Sequence, residues 1–298
     1  MTVPTRFKTC WSVFLSLSAH FGSFASPQTL VEGHKRKLFV GVDEYDAPAN
    51  ACLFSAKVEH YPAIAELFKA RFFAIIKQAV GFVVQKYWLT GVLPAFRDGI
   101  SPLTATEVIS MSPHFNNACG LTEDEVHTIA KAYLASTHSE DELARELETM
   151  KQWFNGYQFC PSGGRTAIPT LYNPQLVFTH LRTVGRKAGH MRPDEEVNAT
   201  HTATVLNAIR ADGDLNVHGL LPLLSGRVRA TIMTGFGAPE VQQIGQRADI
   251  TWTLLYYFGV ITRGEGDGLR IPNHTMRNLV CICLSVSLRF LSNLNLIR

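Results

Sequence analysis

An acidic pair, Asp43–Glu44, directly follows the apolar run Leu38–Val42 and has the form of a Walker B element. A strand of this kind places an aspartate where it can hold Mg²⁺, usually through water. The glutamate that follows can orient or deprotonate a water molecule that attacks a γ-phosphate. The alternative is a solvated loop in which the aspartate caps a turn, and the pair alone does not exclude it.

A second polar side chain, Thr90, stands at the end of the next apolar run. A polar group at this place can act as the sensor of a γ-phosphate. The alternative is a threonine at a strand end that makes a local turn hydrogen bond. Asp43 and Thr90 together predict a site more strongly than either residue alone.

The sequence lacks a phosphate-binding loop to complete such a site. The pattern G-x-x-x-x-G-K-[ST] supplies backbone amides and a lysine to the β- and γ-phosphates, and no Gly-Lys dipeptide occurs in the chain. Lys8–Thr9 has a suitable dipeptide, but neither a strand nor a glycine precedes it. We therefore expect the metal side of a nucleotide site without its phosphate side.

Other catalytic patterns do not match. The sequence contains neither a GxSxG nucleophile elbow nor an HExxH zinc motif, and its 11 histidines and 6 cysteines show no metal-ligand spacing. We interpret the cysteines as reduced, mostly buried thiols of a reducing compartment. A clustered Asp…Glu-x-Lys set is also missing, so nuclease activity ranks last among the functions considered.

The residues around the acidic pair predict the sheet that positions it. Leu38–Val42 has the composition of a buried parallel strand, and residues 82–92 predict a second strand. Residues 61–80, between them, carry apolar side chains at helical spacing. A strand, a helix and a strand in this order form a βαβ unit, so we expect a parallel sheet whose working edge lies at the carboxyl ends of its strands.

Beyond residue 120 the sequence is mainly helical, and two helix starts have a recognisable pattern. Thr122 with Glu125, and Ser139 with Glu142, match the capping box, in which a hydroxyl and a carboxylate satisfy free amides at a helix start. The predicted helices lie near 123–135 and 140–154.

Three later segments have weaker signals. Asn173–Pro174 predicts a helix that runs to about 181, with asparagine as the cap. Residues 186–214 are the best candidate for a linker or variable insertion. Residues 261–272 predict a hairpin with a glycine-rich turn, after the strongly apolar segment 251–260.

Composition and charge place the chain among ordinary globular proteins. Apolar residues make up 46% of its 298 residues and charged residues 18%, which argues against a disordered, collagenous or coiled-coil chain. The net charge of +3 gives no electrostatic reason to expect nucleic-acid or membrane binding.

Two apolar stretches bear on localisation. Trp11–Ala25 has the order of a secretory signal, but His20 and several serines dilute it. Leu279–Ile297 is long enough to span a bilayer, yet it contains Arg289 and two asparagines, which favour a buried or ill-placed terminal helix instead. We therefore expect an intracellular protein, cytoplasmic or nuclear. We also expect that the apolar tail has no packing partner and promotes self-association. The protein partners are unknown.

Six short motifs occur in the order seen in the AAA-ATPase-like family, which the chain resembles over about residues 38–279. The motifs are Val42–Pro48, Leu89–Val92, Cys119–Val126, Trp153–Phe159, Leu171–Pro174 and Leu269–Asn273. Members resemble P-loop NTPase modules and are often followed by a PD-(D/E)XK nuclease-like domain. The resemblance implies an α/β fold: a P-loop NTPase-like parallel sheet with flanking helices, then a mainly helical region with a small hairpin.

Carried over residue by residue, the resemblance implies a role for three side chains. Asp43 would hold the Mg²⁺ of bound ATP, Glu44 would act on water, and Thr90 matches the sensor-like strand end. Residues 120–125 and 155–157 match motifs with no assignable chemical role. Without a phosphate loop, we expect Mg²⁺ and ATP to bind weakly or not at all.

The sequence departs from the family pattern at both ends, and we therefore expect a fragment, a degenerate copy or an imperfect gene model. An apolar tail stands where a nuclease-like domain would follow. The expected divisions are an atypical amino-terminal segment, a partial ATPase-like core, a mainly helical region and the tail, at 1–37, 38–120, 121–278 and 279–298.

The leading hypothesis is a truncated or degenerate ATPase-like nucleotide-binding module. It would hydrolyse ATP with Mg²⁺ only if a phosphate loop were supplied. The rival hypothesis is a non-catalytic protein-interaction module on the same scaffold. Nucleotide binding by the purified chain separates the two.

Overall fold

The structure of the chain, a computed structural model, contains both helices and sheets. The described residues are 38–47, 50, 58–81, 84–94, 106–161, 168–185, 221–224, 226, 228–235, 237, 240, 243, 246–264 and 268–293, with side chains to 285. Within them lie a two-stranded parallel sheet, a two-stranded antiparallel hairpin and seven α-helices. Residues 1–37 and the predicted linker 186–214 lie outside the described part.

Strands β1 (Leu38–Val42) and β2 (Val84–Leu89) form the parallel sheet, with Val42 opposite Leu89. β2 is shorter than the predicted segment 82–92. The inner face of this sheet packs on a cluster centred on Tyr61 and Phe73. The parallel arrangement is therefore confirmed for these strands, and the larger P-loop NTPase fold stays a prediction.

The segment between the strands is helical almost throughout the predicted range 61–80, but its middle turn is wider. Helix α1 (Tyr61–Leu67) passes into a π-helical turn (Phe68–Phe73) and then into α2 (Ala74–Ala79). The π turn has more residues per turn than an α-helix, so neighbouring Phe72 and Phe73 both reach the core. Their ring centroids lie 5.2 Å apart.

Three helices, α3 (Glu123–Leu134), α4 (Glu140–Phe154) and α5 (Pro174–Gly185), pack around a second core. α3 and α4 match the predicted ranges within a residue. α5 begins where predicted and runs four residues beyond 181. Each helix contributes fully buried side chains to this core: Val126, Ala130, Leu134, Met150, Phe154 and Val177.

Both predicted capping boxes are present. The Glu125 carboxylate accepts the Thr122 amide at 2.8 Å, and the Thr122 hydroxyl accepts the Glu125 amide at 3.3 Å. Ser139 and Glu142 repeat both contacts at 2.8 and 3.3 Å. Reciprocal bonds of this kind satisfy two otherwise free amides, which is why the helices begin at these residues.

Helix α6 (Ala248–Tyr257) contains most of the apolar segment 251–260 and contacts two cores. Ile250 and Leu254 belong to the cluster under the parallel sheet. Trp252 and Leu255 belong to a third cluster, which includes hairpin residue Leu269. A helix buried on opposite sides is apolar all round, as this sequence is.

The predicted hairpin is confirmed, since β3 (Thr262–Arg263) pairs antiparallel with β4 (Leu269–Arg270). Helix α7 (His274–Asn293) follows it. Across the described residues, no helix is both long and apolar enough to cross a membrane.

The expectation of a buried terminal helix is confirmed as far as Leu284, and the expectation that the tail from residue 279 lacks a packing partner is wrong over the same residues. Leu279, Val280, Cys283 and Leu284 are all buried in the cluster around the hairpin. Spacings of three and four residues place these side chains on one face of α7, and that face packs against the chain's own core. α7 also continues without interruption across the predicted division at 278/279.

Candidate functional site

The carboxyl ends of β1 and β2 lie side by side, as a parallel pair requires. The Thr90 amide donates to the Val42 carbonyl at 2.8 Å, and the Tyr45 amide donates to the Thr90 carbonyl at 3.0 Å. Two backbone hydrogen bonds thus join the segments just beyond the strands. Polar side chains on these segments are held at one edge of the sheet.

Asp43 and Thr90 meet at this edge. The Thr90 hydroxyl donates to Asp43 Oδ1 at 2.6 Å, and the same oxygen accepts the Glu44 amide at 3.0 Å. Two donors therefore fix one oxygen of an exposed carboxylate. The second oxygen, Oδ2, has no hydrogen bond within the described part of the chain.

Glu44 adopts a left-handed backbone conformation with φ of +51°, which a non-glycine residue takes at a cost of about 1–2 kcal/mol. Its carbonyl accepts the Ala47 amide at 2.9 Å, which closes a tight turn, and its side chain is exposed. The structure places Glu44 beside Asp43 in the chain. Its predicted action on water stays a prediction.

The buried carboxylate of Asp46 was missed by sequence reasoning. This side chain is only 1% exposed, and its Oδ2 accepts three N–H groups. The donors are the Leu93 amide at 2.6 Å, the Val92 amide at 3.0 Å and the Asn50 side chain at 2.8 Å. The signal was a second aspartate in the first family motif, three residues after Asp43.

Gly91 gives Asp46 the room for these contacts. A Cβ atom on Gly91 would overlap Asp46 Oδ1 and lie 2.8 Å from Asp46 Cγ. The Tyr45 hydroxyl adds a further link by donating to the Leu93 carbonyl at 3.0 Å. Burial, followed by the negative charge of Asp46, raises the pKa of Tyr45.

The described residues contain no group of three or more histidine, cysteine, aspartate or glutamate side chains placed to hold a metal ion. A lone carboxylate beside a hydroxyl still fits Mg²⁺, which keeps several water ligands and often binds through one or two carboxylates plus substrate phosphates. Asp43 is therefore a suitable residue for a hydrated Mg²⁺ ion.

The described cysteines are all free thiols, two buried (Cys160 and Cys283) and two exposed (Cys119 and Cys281). The expectation of mostly buried thiols thus holds for half of them. Burial is also the main reason that the pKa of the Cys160 thiol is raised.

The later family motifs meet in a second region, away from the strand ends. Tyr157 and Leu171 exchange backbone hydrogen bonds at 3.1 and 2.8 Å. Leu121 and Tyr172 do the same at 3.2 and 2.8 Å. These short antiparallel bridges tie three motifs together.

Four polar residues of these motifs make up what we call the polar junction: Asn155, Tyr157, Asn173 and Asn273. Asn273 donates to the Asn155 carbonyl at 2.9 Å and caps α7 by accepting the Met276 amide at 3.1 Å. Burial raises the pKa of Tyr157 to about 12, and the Asn273 and Asn173 side chains act in the opposite direction. These contacts give the motif at 155–157 a structural role.

A cavity of about 190 Å³ adjoins the polar junction. Five of its thirteen lining residues are aromatic: Tyr157, Phe159, Tyr172, Tyr257 and Phe258. Asp43, Glu44 and Thr90 do not line it. The cavity and the strand-end site are therefore separate features.

Comparison with known families gives one finding for the strand-end region. The family model AAA-ATPase_like, described as a predicted AAA-ATPase, matches residues 17–101. No curated protein and no solved structure matches the chain. The match confirms the resemblance over a stretch that contains Asp43, Glu44, Asp46 and Thr90, whereas the motifs from Cys119 onward lie outside it.

Proposed function

We propose that this chain carries the metal-side half of an ATPase-like nucleotide site. The observation that supports this most directly is the 2.6 Å hydrogen bond between Thr90 and Asp43, at the carboxyl ends of adjacent parallel strands. Ligands of open parallel sheets bind at this edge. The family match covers both residues.

Asp43 would hold Mg²⁺, largely through water, and the Thr90 hydroxyl would keep the carboxylate oriented. The ion would neutralise charge on the phosphates of bound ATP. Glu44, next in the chain, would accept the proton of a water molecule as its oxygen bonds to the γ-phosphorus and the bond to ADP breaks. Thr90 also lies at the strand end where a phosphate sensor would act.

The absence of a Gly-Lys dipeptide limits what this sequence does with ATP. Without a phosphate loop, few groups contact the triphosphate, so the dissociation constant for Mg-ATP would be no tighter than millimolar, about −4 kcal/mol. Efficient hydrolysis would require a phosphate loop from additional polypeptide. On this proposal the sequence carries a degenerate nucleotide site, with the metal side and without the phosphate side.

Calorimetric titration of the purified chain with ATP, with and without Mg²⁺, tests the proposal. Asp43→Asn should abolish the Mg²⁺-dependent part of the binding, because that carboxylate would contact the hydrated ion. Asp124→Asn, an exposed change in α3, is the matched control and should leave it intact. If Mg²⁺-dependent binding were unchanged in Asp43→Asn, the assignment of Asp43 to the metal would be refuted. A micromolar dissociation constant for Mg-ATP would refute the prediction of weak binding.

One observation favours the rival function, a non-catalytic interaction module. The outer face of the parallel sheet exposes 65% of Phe39 and 44% of Trp88. Exposed aromatic residues on adjacent strands are typical of contact surfaces. If this face mediates self-association, the pair Phe39→Ser and Trp88→Ser should lower the molar mass measured by sedimentation, whereas Asp43→Asn should not.

A further inference from the structure

We infer that Asp46 is the positioning residue of the strand-end site: its buried carboxylate fixes where Asp43 and Thr90 stand relative to each other. The inference rests on the proposed function, since it concerns the same pair. It assigns Asp46 no contact with metal or nucleotide. Its role is to hold the two backbone segments that carry the functional side chains.

The hydrogen bonds of Asp46 connect the segments that leave the two strands. Asp46 lies three residues after Asp43, and its acceptor oxygen binds the amides of Val92 and Leu93, which follow Thr90. The Tyr45 amide, between Asp43 and Asp46, binds the Thr90 carbonyl at 3.0 Å. We call the hydrogen bonds from Val92 and Leu93 to Asp46 the Asp46 bridge. Along the chain, the Asp43–Thr90 contact lies between the paired strands and this bridge.

Burial makes this bridge specific to a side chain with an acceptor oxygen. Asp46 is 1% exposed, and no ion pair involving it occurs among the described residues. Its hydrogen-bond donors are two backbone amides and the Asn50 amide. Alanine at this position would leave those amides without an acceptor. Asparagine, with its carbonyl oxygen in the place of Oδ2, can still accept all three.

Gly91 offers a way to disturb the same bridge from the opposite segment. Its Cβ would overlap Asp46 Oδ1, so Gly91→Ala must push the carboxylate aside without removing any hydrogen-bonding group. Asp46→Ala and Gly91→Ala therefore change the bridge by different means. A shared effect of the two variants would identify the bridge as its cause.

The experiment compares the full-length chain with Asp46→Ala, Asp46→Asn and Gly91→Ala. Thr122→Ala, which removes the cap of α3, is the control for lost stability at a distant place. The first measurement is hydrogen exchange at the Tyr45 and Thr90 amides. The second is binding of Mn²⁺ alone, which suits the same carboxylate and water ligands as Mg²⁺, followed by proton relaxation.

We expect Asp46→Ala and Gly91→Ala to speed exchange at both amides and to weaken Mn²⁺ binding about 10-fold or more, the usual effect of losing an outer support of a metal ligand. Asp46→Asn should restore both readouts to within about three-fold of the unchanged chain. Thr122→Ala should change neither the exchange rates nor Mn²⁺ binding, even if it lowers the melting temperature as much as Asp46→Ala or Gly91→Ala does.

Normal exchange at Tyr45 and Thr90 in Asp46→Ala, or in Gly91→Ala if the former does not fold, would overturn the inference. Equal effects of Thr122→Ala on both readouts would also overturn it, because general destabilisation would then explain them. If the unchanged chain binds no Mn²⁺, or binds it equally after Asp43→Asn, the proposed function fails. The exchange measurement still decides the role of Asp46 in that case.

Discussion

A Cβ atom on Gly156 would overlap the carbonyl oxygen of Pro272 and lie 2.9 Å from its carbonyl carbon. The backbone at Gly156 also has a φ of +107°, a conformation that favours glycine. Two requirements, close approach and backbone conformation, thus coincide at one residue. This glycine lets the end of α4 pass against the segment that leads into α7.

Gly156→Ala should therefore destabilise the protein by at least about 2 kcal/mol, through backbone strain and the clash with Pro272. Urea unfolding measures the change. Gly226→Ala is the control, because a Cβ there meets nothing within 4 Å, and it should alter the free energy of unfolding by less than about 0.5 kcal/mol. Equal stability of the two variants would contradict the packing described at Gly156.

Removing the Asn273 side chain should cost about 1–3 kcal/mol, because its amide serves both the Asn155 carbonyl and the start of α7. Thermal unfolding of Asn273→Ala measures this. Asn117→Ala, an exposed change, should leave the melting temperature nearly unchanged. If the two asparagine variants melted alike, the polar junction would not stabilise the fold.

The capping boxes should make stability fall in acid. Hydrogen bonds from Thr122 and Ser139 hold the pKa of Glu125 and Glu142 below the ordinary glutamate value of 4.5. A carboxylate whose pKa is lowered by folding contributes stability that is complete above its unfolded pKa and is lost as the pH falls through the folded one. Denaturant unfolding between about pH 6 and pH 3 should show a shallower acid loss in the double variant Glu125→Gln, Glu142→Gln than in the unchanged chain. An identical slope would contradict this account.

Leu284→Ala should destabilise by about 2–4 kcal/mol, since the side chain is 4% exposed and packs in the cluster around the hairpin. Its neighbour Ile282 is 53% exposed, so Ile282→Ala should cost less than about 0.5 kcal/mol. The comparison decides whether α7 belongs to the core. Similar costs for both would restore the earlier expectation of an unpacked tail.

Glu44→Gln has a predicted effect only in a protein that hydrolyses ATP. If a segment with an authentic GK[ST] loop is fused ahead of Leu38 and confers turnover, Glu44→Gln should lower that turnover about 10²–10⁴-fold, since the amide cannot accept the proton. Nucleotide binding should persist. A phosphate-release assay beside a fluorescent-nucleotide titration measures both, and unchanged turnover would return Glu44 to a solvated loop residue.

Local patterns predicted part of this structure well. The starts of α3 and α4 follow from Thr122 and Ser139, because a capping box involves residues only three apart. The meeting of Asp43 with Thr90 follows from strand order, since parallel strands end at one edge.

Contacts between distant segments could not be predicted in the same way. Asp46 and Gly91 are 45 residues apart, and no local sequence pattern relates them. They come into contact because each follows one of the two paired strands. The burial of Cys283 depends on a hairpin and a helix that precede it in the chain. In both cases the role of the residue depends on the distant segment that packs against it, and not on its residue type.

Helix α6 couples the unfolding of the two hydrophobic clusters that it contacts. Ile250 and Leu254 anchor it under the parallel sheet, while Trp252 and Leu255 anchor it beside the hairpin. A helix held on both sides cannot melt without opening both clusters. The strand-end region and the hairpin region should therefore unfold on heating in one cooperative transition. A ligand bound at Asp43 would then also protect α7 from unfolding.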